Sequence, residues 1–322
     1  MNASVHKLKA AGPATNHNWG LDRIVADLRD ARTQWRRSQG RLSEVSWREL
    51  PSRETLRSSV IELCGALFPM RLGPPDLRKE SEDFYVGHTL DAALNALLAQ
   101  VKLELAHASP QRSQPTDFHL ESKAVGIVQR FAASLGKLRI QLDLDLVAAY
   151  RGDPAAKSVD EVLLCYPGVI AMIHHRIAHR LYKLGLPLIA RIVAEIAHSE
   201  TGIDIHPGAT IGNSFFIDHG TGVVIGETTI IGDRVRIYQA VTLGARRFPT
   251  DDSGDLQKGL ARHPIVEDDV VIYAGATILG RVTIGQGSTI GGNVWITHSL
   301  PPGSNVSQAR MQHEVFTDGS GI

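Results

Sequence analysis

The sequence predicts an α+β protein, in which an N-terminal α-helical domain precedes a C-terminal parallel β-helix with one extruded loop. Up to about residue 200, apolar residues recur at spacings of three and four, as on the buried face of an α-helix. From residue 203 onwards, aliphatic residues recur every six positions, a period that indicates a β-helix of hexapeptide repeats. One stretch of about twenty residues interrupts this period and predicts the loop.

The first 42 residues are polar and mixed, and we expect this segment to be poorly ordered or irregular. Residues 43–200 form the predicted helical domain. Its helical spacing is clearest in "DAALNALLAQVKLELAHA" and in "HLESKAVGIVQRFAASLGKLRIQLDLDLVAAY". Helix breaks are predicted at Pro51, "RLGPPD" and "SPQRSQP", where proline and glycine end the helical pattern.

The predicted β-helix covers residues 201–300, with three six-residue units forming one triangular coil of about 18 residues. Each unit supplies a short strand and a corner, and the aliphatic side chains point inwards and stack between coils. We assign one inward row to Ile205, Ile211, Ile217, Val223, Thr229, Val235 and Val241, and a second row, two positions later, to Ile225, Ile231, Ile237 and Leu243. The period resumes at Val266, Ile272, Ile278, Ile284, Ile290 and Ile296.

The predicted loop, at about residues 244–265, reads "GARRFPTDDSGDLQKGLARHPI" around its core. A segment without the repeat must leave the prism, and a loop on a rigid scaffold is a usual place for function. Because this loop ends in Arg262–His263–Pro264, we expect a functional role rather than a tolerated insertion. Residues 301–322 are predicted to be a flexible tail.

Composition limits the possible partners of the chain. Its 34 basic and 34 acidic residues balance, which gives no indication of nucleic-acid binding. Cys64 and Cys165 are too few and too far apart for a disulfide framework or a zinc motif. The apolar stretch "LGLPLIARIVAEIA" is too short to span a membrane. The N-terminus has no signal-peptide pattern, so a cytoplasmic location is expected.

Several polar residues break the aliphatic pattern of the β-helix. Because a prism wall has no pocket of its own, we expect them to line clefts between neighbouring subunits. A histidine held by a carboxylate is suited to deprotonating a hydroxyl. For His219, a candidate for that carboxylate is Asp204, close to one coil away, and the sequence permits this pairing without requiring it. Its neighbour Asp218 is not the candidate, because adjacent strand residues face opposite ways. Structural roles, such as aspartate turn caps, remain the alternative for each residue taken alone.

A metal site is not predicted. His175 and His179 stand four residues apart on a helix, a spacing that can bind a metal. No third ligand is evident, and an interfacial helix is the preferred interpretation. A zinc site built from His206, His219 and His263 would need the spacing of β-helical carbonic anhydrases, which is not present.

From Asp153 to about Pro302 the chain resembles the serine O-acetyltransferases of bacterial and plant cysteine synthesis. The resemblance rests on "DPAA", "DIHPGATIG", "IDHGTGVVIGET", "QAVTLG", "RHPIVEDDV" and "GATILG". It implies a left-handed β-helix and direct transfer of acetyl from acetyl-CoA to the L-serine hydroxyl, giving O-acetyl-L-serine. Acetyl-CoA is then a co-substrate, and no metal or prosthetic group is expected.

The resemblance also implies roles for individual residues. It makes His219 the general base and Asp204 the group that orients it, and it places His263 across the cleft against the substrate. The residues with an implied substrate-binding role are Asp153, Asp218, Glu227, Arg262 and His263. The residues with an implied coenzyme A-binding role are Gly244, Ala245 and Ala274.

Further implied partners are L-cysteine as a feedback inhibitor and the enzyme O-acetylserine sulfhydrylase, which would bind the C-terminal Ile322. A homotrimer or a dimer of trimers is expected. The chain departs from the family pattern at Gly244–Ala245, where two glycines are usual, and at "SQARMQ", where Val-Pro-Ala-Arg is usual. Two alternatives stay open: acetyl transfer to homoserine or a sugar, and a scaffold that mainly tethers the sulfhydrylase.

Overall fold

The computed structural model describes residues 19–40, 50–108, 118–247, 249–250 and 254–308. The chain divides into two compact units, Met1–Glu49 and Leu50–Ile322. In the first unit, helix α1 (Leu21–Ser38) buries none of its residues. This helix lies in the segment that was expected to be poorly ordered or irregular. Its acidic first turn and basic last turn suit the helix dipole.

The second unit begins with the remaining helices, which share an aliphatic core. Ser52 and Ser158 cap α2 and α7 through their hydroxyls, and prolines begin α3, α8 and α9. A 3₁₀ turn covers Lys79–Ser81. The helices are α2 (Arg53–Leu67), α3 (Pro69–Leu72), α4 (Glu82–Ala108), α5 (Phe118–Ala132), α6 (Leu135–Gly152), α7 (Val159–Cys165), α8 (Pro167–Lys183) and α9 (Pro187–Thr201).

One buried carboxylate joins two of these helices end to side. Glu104 of α4 accepts hydrogen bonds from the backbone N–H groups of Leu188 (2.8 Å) and Ile189 (2.9 Å). These groups lie in the first turn of α9, where N–H groups have no partner within the helix. Burial raises the pKa of Glu104, and the two backbone hydrogen bonds oppose that shift. No helix in the described part of the chain is long and apolar enough to cross a membrane.

The strands form a three-sided, left-handed parallel β-helix, as predicted. Sheet A runs in the order β1–β4–β7–β10–β13, sheet B as β2–β5–β8–β11 and sheet C as β3–β6–β9–β12–β14. The strands are β1 (Asp204–Ile205), β2 (Thr210–Ile211), β3 (Phe216–Ile217), β4 (Val224–Ile225), β5 (Ile230–Ile231), β6 (Arg236–Ile237), β7 (Thr242–Gly244), β8 (Ile265–Val266), β9 (Val271–Ile272), β10 (Thr277–Leu279), β11 (Thr283–Ile284), β12 (Thr289–Ile290), β13 (Trp295–Ile296) and β14 (Asn305–Val306).

The stacking register corrects one detail of the predicted rows. Ile205 pairs with Ile225, not with Val223, so the first coil spans twenty residues instead of about 18. The unit between Ile217 and Ile225 is eight residues long, and two extra residues leave the prism at the corner between sheets C and A. Val223, Thr229, Val235 and Val241 were assigned to the row of Ile205, but they belong to a second buried row, two positions before each main inward residue.

The extruded loop leaves the prism at the end of β7 and returns at β8. Coil stacking continues across it, because Leu243 pairs directly with Ile278 and Ile231 with Val266. Strand β14, which pairs with β12, lies within the segment expected to be a flexible tail. The prism therefore extends at least to Val306.

A buried ion pair attaches the helices to the first coil. Arg176 of α8 donates to both carboxylate oxygens of Asp145 of α6, at 2.6 and 2.9 Å. The guanidinium also donates to the Gly212 carbonyl (2.7 Å), and the Phe215 N–H donates to Asp145 (3.0 Å). Both side chains are about 5% exposed, so every charge and donor depends on partners inside the protein.

We predict that Asp145→Ala lowers the free energy of unfolding by about 3–5 kcal/mol, because it leaves the Arg176 charge buried without a partner. Asp143→Ala is the matched control, since Asp143 lies on the same helix in a half-exposed pair with Arg139. That control is expected to cost about 0–1 kcal/mol. Urea unfolding followed by circular dichroism measures both, and equal losses would contradict a structural role for the buried pair.

Candidate functional site

The first cluster of predicted site residues lies at the corner between sheets C and A, where the two extra residues leave the prism. His219 has φ 58° and Gly220 has φ 96°, both left-handed. On sheet A the regular left-handed corner residue stands two positions before the strand, as Gly222 and Ala240 do. His219 lies outside that pattern, and its side chain is 72% exposed. The insertion therefore turns this imidazole out of the prism wall.

Asp218, beside it, is buried. Its Oδ2 accepts a hydrogen bond from Arg236 (2.5 Å), and its Oδ1 lies 3.9 Å from His219 Nε2. Asp153 joins the same corner, where Tyr166 donates to its Oδ2 (2.5 Å). This hydrogen bond, with a second one from a backbone N–H, lowers the pKa of Asp153 and keeps it ionised.

The second cluster lies at the corner between sheets A and B. Arg262, at the end of the loop, donates to Glu227 Oε2 (2.7 Å), and Tyr182 donates to Glu227 Oε1 (3.2 Å). Burial acts to raise the pKa of Glu227, but the hydrogen bonds and nearby positive charge outweigh it and the pKa is lowered. The Arg262–Glu227 pair is thus charged on both sides.

His263 is buried in this second cluster with a defined tautomer. Its Nδ1 accepts a hydrogen bond from the Thr228 backbone N–H (3.1 Å), so in the neutral ring the hydrogen is on Nε2. The ring packs on Gly226, where a Cβ atom would come within 2.0 Å of the imidazole. Burial lowers the pKa of His263 to about 4, and the charge of Arg262 acts in the same direction. At neutral pH this side chain is an uncharged donor through Nε2.

The two clusters flank the same face of the prism. The first lies just before strand β4 and the second just after it. The residues predicted for coenzyme A divide in the same way, since Ala274 precedes β10 whereas Gly244 and Ala245 end and follow β7. One chain therefore does not bring the two groups together, and each edge of sheet A carries one part of the predicted site.

Asp204 lies on β1 of the same face, in register with Val224. No hydrogen bond joins it to His219 within the described part of the chain. Its carboxylate instead stands near Glu195 and His198, with ligand atoms of the three side chains within 4.8 Å of one another. Half-exposed groups of this kind are common without an ion, and the expectation that no metal is bound stays a prediction.

Sequence reasoning missed the partners of the predicted residues. Arg236 lies on β6, which stacks on β3, so an arginine in the coil next to Asp218 was a usable signal. Thr228, whose hydroxyl accepts from the Arg262 and His263 backbone N–H groups, follows Glu227 directly. Tyr166 lies between α7 and α8 and Tyr182 lies on α8, and no spacing in the sequence indicates their contacts.

The prism of hexapeptide coils, with polar clusters on two edges of one face, defines a hexapeptide transferase. Residues 263–298 match the family described as "Bacterial transferase hexapeptide (six repeats)". The chain is 55% identical over 307 residues to "Serine acetyltransferase, plasmid" of Synechococcus elongatus, covering 95% of this chain and 96% of that one. The chain therefore belongs to the serine acetyltransferase family.

Further similarities agree with this membership. A serine acetyltransferase of Bacillus subtilis is 47% identical over 162 residues, covering 50% of this chain and 70% of the relative. Serine acetyltransferase isoform 3 of Entamoeba histolytica, solved in complex with cysteine, is 35% identical with a TM-score of 0.66, covering 82% of this chain and 84% of that one. The Neisseria gonorrhoeae enzyme in complex with serine is 28% identical with a TM-score of 0.51, covering 79% and 95%.

We predict that neutral His263 makes stability sensitive to acid. Its folded-state pKa of about 4 is below the ordinary value of 6.5, so its stabilisation is complete above pH 6.5 and is lost as the pH falls towards 4. Melting temperatures measured across this range should fall less steeply in His263→Gln than in the wild type. His298→Gln, at an exposed histidine, is the control. Parallel curves for the wild type and His263→Gln would contradict the prediction.

Proposed function

We propose that this protein transfers the acetyl group of acetyl-CoA to the hydroxyl of L-serine, giving O-acetyl-L-serine and CoA, the first step of cysteine biosynthesis. Family membership and a Neisseria relative solved in complex with serine support this acceptor. The observation that carries the mechanism is the division of the polar residues between two edges of one face. One edge presents an exposed histidine with carboxylates, and the other presents an arginine with a neutral, donating histidine.

In this mechanism His219 is the general base. It takes the proton of the serine hydroxyl as the oxygen attacks the thioester carbon, and it returns the proton to the departing CoA sulfur. No acyl-enzyme forms, because the acetyl group passes directly between the two substrates. A carboxylate beside the imidazole stabilises its charged form. We assign that role to Asp204. Within one chain, the carboxylate oxygen that lies 3.9 Å from His219 Nε2 is Oδ1 of Asp218.

His263 acts differently, because its low pKa makes it a poor base at neutral pH. Its Nε2–H is suited to donating to a substrate oxygen, including the oxyanion that develops during acetyl transfer. The rigid setting of the ring between Thr228 and Gly226 keeps that donor in a fixed direction. Such preorganised donors stabilise a transition state without rearrangement during the reaction.

The charged residues fit the two ends of an amino acid. Asp153 and Asp218 are ionised acceptors on the first edge, and we assign them to the substrate ammonium. Arg262 retains guanidinium donors beyond its contact with Glu227, and we assign it to the substrate carboxylate. Glu227 then holds Arg262 in position. The same two anchors would accept L-cysteine as an inhibitor, and relatives from Entamoeba histolytica were solved with cysteine bound.

Acetyl-CoA is the proposed co-substrate, with Gly244, Ala245 and Ala274 allowing close approach of its pantetheine arm. At Gly244 an added Cβ would lie 2.8 Å from the Leu279 side chain, so this position accepts only glycine without a shift. We propose no metal or prosthetic group, because direct transfer needs only a base and hydrogen-bond donors. Most of "SQARMQ" lies outside the described residues, so its effect on coenzyme binding stays a prediction.

The two edges form a complete site only when different subunits meet. A threefold axis facing sheet A brings the first edge of one chain against the second edge of the next, and it covers the exposed Val224 and Trp295. We therefore propose a homotrimer, or a dimer of trimers, with three equivalent clefts. Ile322 lies outside the described residues, so binding of O-acetylserine sulfhydrylase through this residue stays a prediction. A cytoplasmic location also stays a prediction.

Release of free thiol from acetyl-CoA tests the proposed reaction. We expect rapid turnover with L-serine, slow turnover with homoserine and a hexose, and competition between L-cysteine and L-serine. Arg262 and the two aspartates recognise the amino-acid ends, which a hexose does not have. Homoserine has both ends, but its extra methylene moves the hydroxyl away from His219 when those ends are held. Turnover mainly with a sugar would overturn the serine assignment. No turnover with any acceptor, together with tight sulfhydrylase binding, would favour the scaffold.

Mixed chains test the site between subunits. His219→Ala is expected to lower kcat by about 10²–10⁴-fold, and His263→Ala, which removes the donor on the other edge, is also expected to be impaired. When both variants are co-expressed in equal amounts, about one cleft in four combines two intact edges and regains activity. In the control, the His263→Ala chain is co-expressed with a chain that carries both substitutions, and no cleft then combines two intact edges. No recovery in the mixed trimers would contradict the shared site.

A further inference from the structure

A cavity of about 560 Å³ lies between helices α5, α6 and α8 and strand β2 of the first coil. The end of α5 and the start of α6 form one wall, and α8 with strand β2 of sheet B forms the other. Its volume is within the range of small-molecule pockets. It contains none of the residues assigned to acetyl transfer, and we call it the basic cavity.

The basic cavity is lined by an excess of positive charge, and no acidic residue is found among its described lining residues. Arg176 is already neutralised by Asp145. The remaining cations form no ion pair within the described part of the chain: they are Arg130, Lys137, Arg180 and Lys183. Four uncompensated charges around one cavity repel each other, and a bound anion relieves that repulsion.

Two buried polar atoms in the cavity wall also have no partner in the described structure. His175 is 2% exposed, and its Nδ1 forms no hydrogen bond. The Nε of Arg180 is likewise buried without an acceptor. Buried polar atoms are almost always hydrogen-bonded, so a pair without partners in one cavity needs an explanation. Each of these atoms lacks an acceptor, which an anionic oxygen in the cavity supplies.

The lining favours an anion over a metal ion. His175 and His179 stand one helical turn apart, with ring centroids separated by 5.6 Å. His179 Nδ1 lies 2.8 Å from the Pro207 carbonyl and donates to it. A cation would have no carboxylate ligand here and would meet four positive side chains.

We propose that the basic cavity binds a small multivalent anion that carries phosphate groups. Guanidinium groups match phosphate oxygens in geometry and charge, and four cations can neutralise a di- or trianion. Because the four cations come from α5, α6 and α8, the bound anion bridges these helices beside the first prism coil. Ligand binding to the folded state alone raises the melting temperature.

Inorganic pyrophosphate is the probe, at constant ionic strength and with citrate as a multivalent anion lacking phosphate. We expect saturable 1:1 binding per chain in calorimetry and a rise in the melting temperature of the full chain. In the variant with Arg130→Gln and Lys137→Gln, the affinity should fall at least tenfold, about the loss expected from removing two charge-assisted hydrogen bonds. The variant with Lys79→Gln and Lys123→Gln removes two exposed cations elsewhere and should bind as the wild type does.

Saturating acetyl-CoA in a second titration separates this cavity from any phosphate subsite for the coenzyme. Pyrophosphate binding that persists with acetyl-CoA present, and that depends on Arg130 and Lys137, supports the proposal. Absence of saturable binding, equal affinity in the two double variants, or tight citrate binding without pyrophosphate binding would overturn it. None of these outcomes depends on which acceptor is acetylated.

Discussion

Stacking of coils is the constraint on which the rest of this structure depends. Each inward side chain lies on its equivalent in the next coil, as Ile205, Ile225, Leu243, Ile278 and Ile296 do on sheet A. Because backbone hydrogen bonds hold neighbouring strands in register, an extra residue cannot be absorbed within a strand. It must leave the prism at a corner. The two insertions into the six-residue period leave beside sheet A strands, one before β4 and one after β7, and both carry predicted site residues.

The two edges thereby acquire different electrostatic character. At the first, a two-residue insertion exposes His219 beside a buried Asp218 that is already paired with Arg236. At the second, the long loop returns through Arg262 and His263 and buries the imidazole against Gly226. His219 is exposed, whereas burial lowers the pKa of His263 to about 4. Two histidines in such different surroundings are suited to different tasks in one reaction.

The helices are attached to this scaffold by buried polar groups as well as by apolar packing. Asp145 and Arg176 join α6 and α8 to the first coil through its backbone groups. The basic cavity lies next to this junction and includes Arg176 in its wall. The ion pair satisfies one guanidinium, whereas Arg180 and His175 have buried atoms with no partner among the described residues. Proximity to the junction is why an anion there would influence the attachment of the helices.

The sequence by itself determined the architecture, because a six-residue period and a helical period are local signals that packing preserves. It also identified the residues that break those periods, including His219, Arg262 and the extruded loop. It misplaced Val223 in the main inward row, since two extra residues shift every later position without changing the period. Only the tertiary structure decided that Asp218 is buried, that Tyr166 and Arg236 hold the carboxylates, and that the site residues divide between two edges. Those outcomes depend on contacts between residues far apart in the chain, which no local spacing records.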